Sequence, residues 1–225
     1  MNLLSSLLHD DPARPRLTVY NESTGSRVDF SAQTLDNWTA KVAHFLREEL
    51  DLDQGSTISI ALPPSWQTIV IVLGALATDI KVNITNNPDA VQQPSDVLFC
   101  TPTSALNTSF DGDLVVVTDD PLGRGVIETG QQLAPAAIDF APTVRFYGDQ
   151  YYDPTPELAK VVTAGTPDRV LCTGWHNYRG LEKAVLAPLA GLGSSVIVRG
   201  LIDDKRLTAI AEMEKVTAFI DENPT

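Results

Sequence analysis

Short apolar runs recur along this chain, and most are separated by stretches with helical spacing of apolar residues. Thr57–Leu62, Lys81–Thr85, Asp96–Cys100 and Leu114–Thr118 read as strands, and so do Arg169–Cys172, Ser195–Val198 and Val216–Ile220. Between them, Trp66–Thr78, Leu181 to about Ala190 and Asp204–Glu214 carry helical patterns. A helix between two strands leads the chain back to the end where it started, so the strands it joins run parallel. Such crossovers are right-handed. This alternation confines the chain to an α/β fold with largely parallel sheets flanked by helices.

The grouping of these elements predicts two packed βαβ lobes within one domain over residues 1–225. Lobe one spans about 14–118, an irregular connection about 119–156, and lobe two about 157–225. Lobe one opens with a hairpin, Leu17–Glu22 and Arg27–Phe30, turning at Ser23-Thr24-Gly25-Ser26. Ser31 then caps a helix that carries Leu35, Trp38, Val42, Phe45 and Leu46 on one face, with Phe30 and Leu35 in staple positions. Pro63 and Pro64 stop the strand Thr57–Leu62. The connection is rich in Pro and Gly, yet it holds too many Phe, Tyr and Val residues for a disordered linker. Thr143–Phe146 is its candidate strand, and helical pattern resumes over 156–164. Leu3, Leu4, Leu7 and Leu8 suit one face of a short docking helix at the amino terminus.

Composition narrows the function by exclusion. A net charge of −13 over 225 residues would attract neither nucleic acid nor an anionic membrane. No run approaches the ~18 apolar residues of a membrane span, and MNLLSSLLHDD lacks the basic start of a signal peptide. Both points favour a cytoplasmic protein. The two cysteines, Cys100 and Cys172, each end an apolar strand and read as buried free thiols. His9 and His44 lie on helical patterns without Cys/His spacing, so no metal site is expected. No G-x-S-x-G nucleophile elbow, Walker loop or dinucleotide fingerprint occurs in a fitting context.

Where chemistry is concerned, the densest polar-aromatic loop is Thr173–Gly180, TGWHNYRG, directly after the strand Arg169–Cys172. In an open parallel sheet, ligands bind beyond the carboxyl ends of the strands. This loop therefore supplies the candidate ligand-binding residues: Trp175, His176, Asn177, Tyr178 and Gly180. No catalytic residue is assigned.

Two long segments resemble the amino-terminal part of the adenylate-forming superfamily, which includes acyl-CoA synthetases and AMP-binding ligases. The first is RLTVYNESTGSRVDFSAQTLDNWTAKVAHFLREELDLDQGSTISIALPPSWQTIVIVLGAL. It is similar to the superfamily's opening hairpin, its Y/F-x-x-L helix, its G-D-x-V-A-I-x-L-P strand and the helix that follows. The second is PDRVLCTGWHNYRGLEKAVLAPLAGLGSSVIV with IAEMEKVTAFI, similar to D-R-V-L-x-x-L-P-L-F-H-x-x-G-L…L-A-P-L-L-x-G-A-x-V-V-L and I-x-x-x-K-V-T. More narrowly, LDNWTAKVAHFLREEL and LPPSWQT resemble a family of short, stand-alone AMP-binding-enzyme-like proteins whose function is not established.

The resemblance implies that His176 stands at the wall of the acyl pocket and that Gly180 permits close packing at a helix start. It also implies what is missing. The superfamily's T-S-G-T-T-G-x-P-K-G loop needs glycines, so that backbone N–H groups reach the phosphates, and a cation to offset their charge. Here the interval is FYGDQYYDPTPELAKVVTAGTPDRV, whose nearest fragment, Thr163–Pro167, lacks the lysine and the glycine spacing. The adenine and ribose segments and the lid with its catalytic lysine find no counterpart.

The expectation is a truncated, non-catalytic homologue that needs no cofactor. It would bind an acyl-type small ligand, or a protein partner or second copy of itself. The alternative is a compact acyl-adenylate or acyl-CoA ligase completed by another subunit.

Overall fold

In a computed structural model, described for residues 1–85, 95–201 and 203–220, the chain divides into two compact units. One holds Asn37–Thr155. The other holds Asn2–Asp36 together with Pro156–Thr225.

The Asn37–Thr155 unit is built on a five-stranded sheet. Its strands are β3 (Thr57–Ala61), β4 (Lys81–Ile84), β5 (Val97–Cys100), β6 (Asp113–Val116) and the short β7 (Ile138–Asp139). All pairs are parallel, in the order β4-β3-β5-β6-β7. The continuous apolar character of β5, buried at every residue, is what a strand covered on both faces requires.

Helix α2 (Ala32–His44) starts where Ser31 Oγ accepts the Thr34 N–H at 3.2 Å, the cap expected at that position. It runs into a π turn over Phe45–Glu49. Helix α3 (Trp66–Ala77) is capped in the same way by Ser65 and is buried along almost its whole length. Gly74 lets α3 approach α2 closely, because a Cβ there would stand 2.4 Å from Val42 Cγ1. Phe45, Phe99 and Phe140 meet edge to face, with centroids 5.9 to 6.5 Å apart. This is the favourable aromatic geometry for a packed core.

The irregular connection is ordered. Val126 and Ala134 are buried in a cluster with Leu98, Cys100 and Val116, and Asp120 Oδ1 accepts the backbone N–H groups of Leu122 and Arg124. The strand expected at Thr143–Phe146 is a helix instead, α5 (Phe140–Arg145), preceded by β7. Phe, Thr and Val favour strands, but only Phe140, Ala141 and Val144 are buried. That is helical spacing and not alternation, and packing overrode propensity.

The other unit also carries five strands: β1 (Pro15–Asn21), β2 (Ser26–Ser31), β8 (Arg169–Cys172), β9 (Ser194–Arg199) and β10 (Ala218–Ile220). Their order is β10-β8-β9-β1-β2, antiparallel only at the β1–β2 hairpin. Grouping residues 14–31 with lobe one is thus corrected: β1 lies parallel to β9 with Leu17 opposite Ser195 and Asn21 opposite Arg199. Hairpin composition cannot reveal which distant strand it will join.

At the amino terminus, α1 (Ser5–Asp10) buries Leu7, with Leu3 and Leu4 just before it. Arg16 is wholly buried, its guanidinium donating to Asp10 and to the carbonyls of Leu192 and Gly193. The helix expected over 156–164 shrinks to one turn, α6 (Leu158–Val161).

Helix α9 (Asp204–Met213), capped by Asp203, lays Leu207, Ile210 and Ala211 against Tyr20, Leu171, Val196 and Val198. An ion cluster ties its last turn to the sheet. Glu214 accepts from Tyr20 Oη at 2.6 Å, from Arg27 Nη2 at 2.8 Å and from Arg169 Nη2 at 2.5 Å. Burial alone would raise the Glu214 pKa, but hydrogen bonds from Tyr20, Arg169 and Arg27 outweigh it and hold the carboxyl below the ordinary glutamate value of 4.5.

A depressed carboxylate contributes stability that is complete above its ordinary value and is lost as pH falls through its folded value. Glu214→Gln should therefore destabilise the protein by roughly 2 kcal/mol at neutral pH. It should also flatten the loss of stability below pH 4.5, read from urea titrations across the acid range.

Candidate functional site

The loop after β8 is shaped by its own backbone chemistry. The Cys172 thiol, buried at the strand end, donates to the Gly174 carbonyl at 2.8 Å and accepts the Gly174 N–H at 3.3 Å. The chain turns there through Gly174, whose φ of 142° is open to glycine and strained for other residues. Helix α7 (Tyr178–Leu181) begins sooner than the apolar pattern suggests. Asn177 takes the cap position and its Oδ1 accepts the Gly180 N–H at 2.9 Å.

Helix α7 continues through a π turn (Glu182–Leu186) into α8 (Ala187–Ala190). The cause lies in Pro188, which has no N–H to give the Ala184 carbonyl one turn earlier. Ser195 Oγ on β9 donates to that carbonyl instead, at 2.8 Å. Such π turns occur often at functional sites.

The five candidate residues thus fall into separate roles. Trp175 is 3% exposed, and its indole N–H has no hydrogen-bond partner among the described residues. His176 and Asn177 are exposed, Tyr178 is half-buried and Gly180 is buried at the helix start. Burial, with the Glu182 charge adding to it, raises the Tyr178 phenol pKa above its ordinary value, so this side chain stays neutral as a donor and acceptor.

Topology places the loop well. The chain leaves β8 for β9 on one side, and β10 then pairs with the other side of β8. The loop thus lies at the carboxyl end of β8, between β9 and β10 in the sheet, and open α/β sheets take ligands at the carboxyl ends of their strands.

The Thr163–Pro167 fragment, by contrast, is a packed turn. Its Gly165 N–H donates to the Ala187 carbonyl at 2.8 Å, and Gly191 faces it so closely that a Cβ there would come within 2.2 Å of the Gly165 carbonyl oxygen. No N–H of Gly165 is left over for a phosphate. Cys100, ending β5 in the other unit, has its thiol pKa pushed up to about 11 by burial, which keeps it protonated. Among the described residues no group of three or more His, Cys, Asp or Glu is placed to hold a metal ion, and no helix is long and apolar enough to cross a membrane.

Two features of this region were not read from the sequence: the indole of Trp175, unpartnered among the described residues, and the Ser195 hydrogen bond to the Ala184 carbonyl, to which Pro188 cannot donate. The Pro188 spacing inside an apolar helix was the visible signal for the second.

Mostly parallel sheets flanked by helices make this an α/β fold, and a solved structure shares it. The acyl-CoA synthetase of Brucella canis superposes with a TM-score of 0.73 over 98% of this chain, at 13% sequence identity. The likeness is one of fold, and the chain spans 47% of that protein's length. A protein of Mycobacterium tuberculosis described as a TIGR03089 family protein is 32% identical over 214 residues, covering 89% of this chain and 82% of that one. The chain belongs to the TIGR03089 family. No family model matches the sequence.

Asn177→Ala should lower stability by about 1 kcal/mol through loss of the cap, while Asn177→Asp retains it. Equilibrium urea denaturation of the three proteins checks this. Equal midpoints would show that the cap does not hold the helix start.

Proposed function

We propose that this protein is a non-catalytic relative of acyl-CoA synthetases that binds an acyl-type ligand at the loop Gly174–Tyr178. The observation that carries the reading is the Trp175 indole N–H, buried and without an acceptor among the described residues. An unmatched buried donor costs roughly 1–3 kcal/mol. A carboxylate or carbonyl oxygen of a ligand is the acceptor that would satisfy it. The place of the loop at the carboxyl end of β8 and the neutral Tyr178 phenol in it support the same reading. His176, next to Trp175 in the chain, is exposed, so its imidazole is accessible to the polar end of a ligand.

One observation favours binding over ligation: the Thr163–Pro167 turn is packed against α8 and lacks the lysine a phosphate loop requires.

The test pairs binding with chemistry. Hexanoate, decanoate and benzoate are titrated into the protein and into Trp175→Phe, which keeps an aromatic ring and removes the N–H. At least one carboxylate should bind the wild type, and the variant should bind it about tenfold more weakly, the loss of one hydrogen bond to a charged group. Neither protein should exchange pyrophosphate with ATP. Robust exchange that disappears in His176→Ala would overturn the proposal in favour of a ligase completed by a partner.

A further inference from the structure

A second candidate site lies at the opposite edge of the β1–β9 sheet, by the amino-terminal ends of β1, β8 and β9. Register sets Thr18 and Tyr20 of β1 beside Asp29 and Arg27 of β2, and Arg169 of β8 beside Ser194 of β9. Helix α9 covers the neighbouring apolar part of this face with Leu207, Ile210 and Ala211. Beyond its last turn a cleft of about 500 Å³ remains, within the size range of small-molecule sites.

Charge sets this cleft apart from the rest of the molecule. Arg14, Arg27, Arg169 and Lys215 line it against two carboxylates, Asp29 and Glu214. The carboxyl end of α9 adds about half a negative charge. Cations still exceed anions there, in a chain whose net charge is −13.

The two carboxylates are fully engaged, whereas the cations are not. A guanidinium carries five N–H groups. Arg27 uses Nε on Tyr20 and Glu214, one Nη1 hydrogen on Asp29 and one Nη2 hydrogen on Glu214. Two of its N–H groups have no acceptor among the described residues. Arg169 donates to the Glu214 carbonyl and carboxylate, Thr18 and Ser194, leaving one N–H without an acceptor among the described residues. Arg14 is half exposed, with Asp10 at 3.6 Å. Lys215 is exposed and makes no ion pair among the described residues.

From this geometry we infer that the cleft binds a small oxyanion ligand of at least two negative charges, through carboxylate or phosphate groups. Arg27 and Arg169 form the floor, pre-set by Glu214, and their remaining N–H groups offer the planar donors that such oxyanions accept. Arg14 and Lys215 form the rim and supply charge. The inference is independent of the Trp175 loop.

Isothermal titration at constant ionic strength, with pyrophosphate and with citrate as probes, tests it. The partner protein is the double variant Arg14→Gln, Lys215→Asn. Asparagine tolerates the φ of 54° at position 215, and both side chains are exposed, so the fold is retained. Saturable binding of at least one probe is expected, weakened at least tenfold in the double variant and unchanged in Trp175→Phe. Binding of pyrophosphate alone assigns a phosphate-bearing ligand, of citrate alone a polycarboxylate, and of both a site that reads charge. No saturable binding of either probe at millimolar concentration would overturn the inference, as would binding that the double variant leaves intact.

Discussion

Parallel pairing of β1 with β9 is the constraint on which the Asn2–Asp36 and Pro156–Thr225 unit depends. It joins Leu17–Asn21 to Ser195–Arg199 across most of the chain. A parallel pair cannot close through a tight turn, so the partner strands must be brought together by long connections. Once β1 is in place, its Thr18 and Tyr20 stand on the face that α9 covers, where Tyr20 meets Glu214 and Thr18 meets Arg169. The last turn of α9, the α9 core cluster and the cleft beyond it all follow from that one pairing. Loop-closure entropy makes such a contact slow to form and easy to lose. That gives the dense ion cluster around Glu214 a structural reason.

The same parallelism separates two kinds of chemistry. At the carboxyl end of β8 the chain presents a turn closed by its own thiol, a buried indole and a capped helix. At the amino ends it presents paired guanidiniums. Polar groups are therefore concentrated at the two rims of an otherwise apolar sheet. The buried donor at one rim lacks an acceptor, and the cations at the other outnumber their acids. The two rims are thus chemically different environments.

Much of the fold was legible in the sequence because parallel strands are buried on both faces and read as unbroken apolar runs. Val97–Cys100 and Arg169–Cys172 stand out for that reason, and the Ser31 cap and the β1–β2 hairpin follow from local turn chemistry. Long-range pairing was not legible, since nothing local in Leu17–Asn21 specifies β9 as its neighbour. The strand reading of Thr143–Phe146 failed because the buried residues of Phe140–Arg145 sit at helical spacing. The Trp175 loop was found by its composition, but its internal division of labour was not. Asn177 spends its oxygen on the Gly180 N–H, while Trp175 keeps a donor unmatched, and only coordinates distinguish the two. The arginine cleft escaped because its residues are scattered from Arg14 to Lys215 and meet only through strand register.

If the buried Trp175 donor is matched by a ligand, that ligand should stay with the protein through gentle purification. Native mass spectrometry of the intact protein, followed by the same measurement after denaturation, tests this directly. The account predicts a bound small molecule bearing a carboxylate or carbonyl, released on unfolding and absent from Trp175→Phe. A wild-type protein that flies bare, and stays bare after incubation with a panel of carboxylic acids, would contradict it.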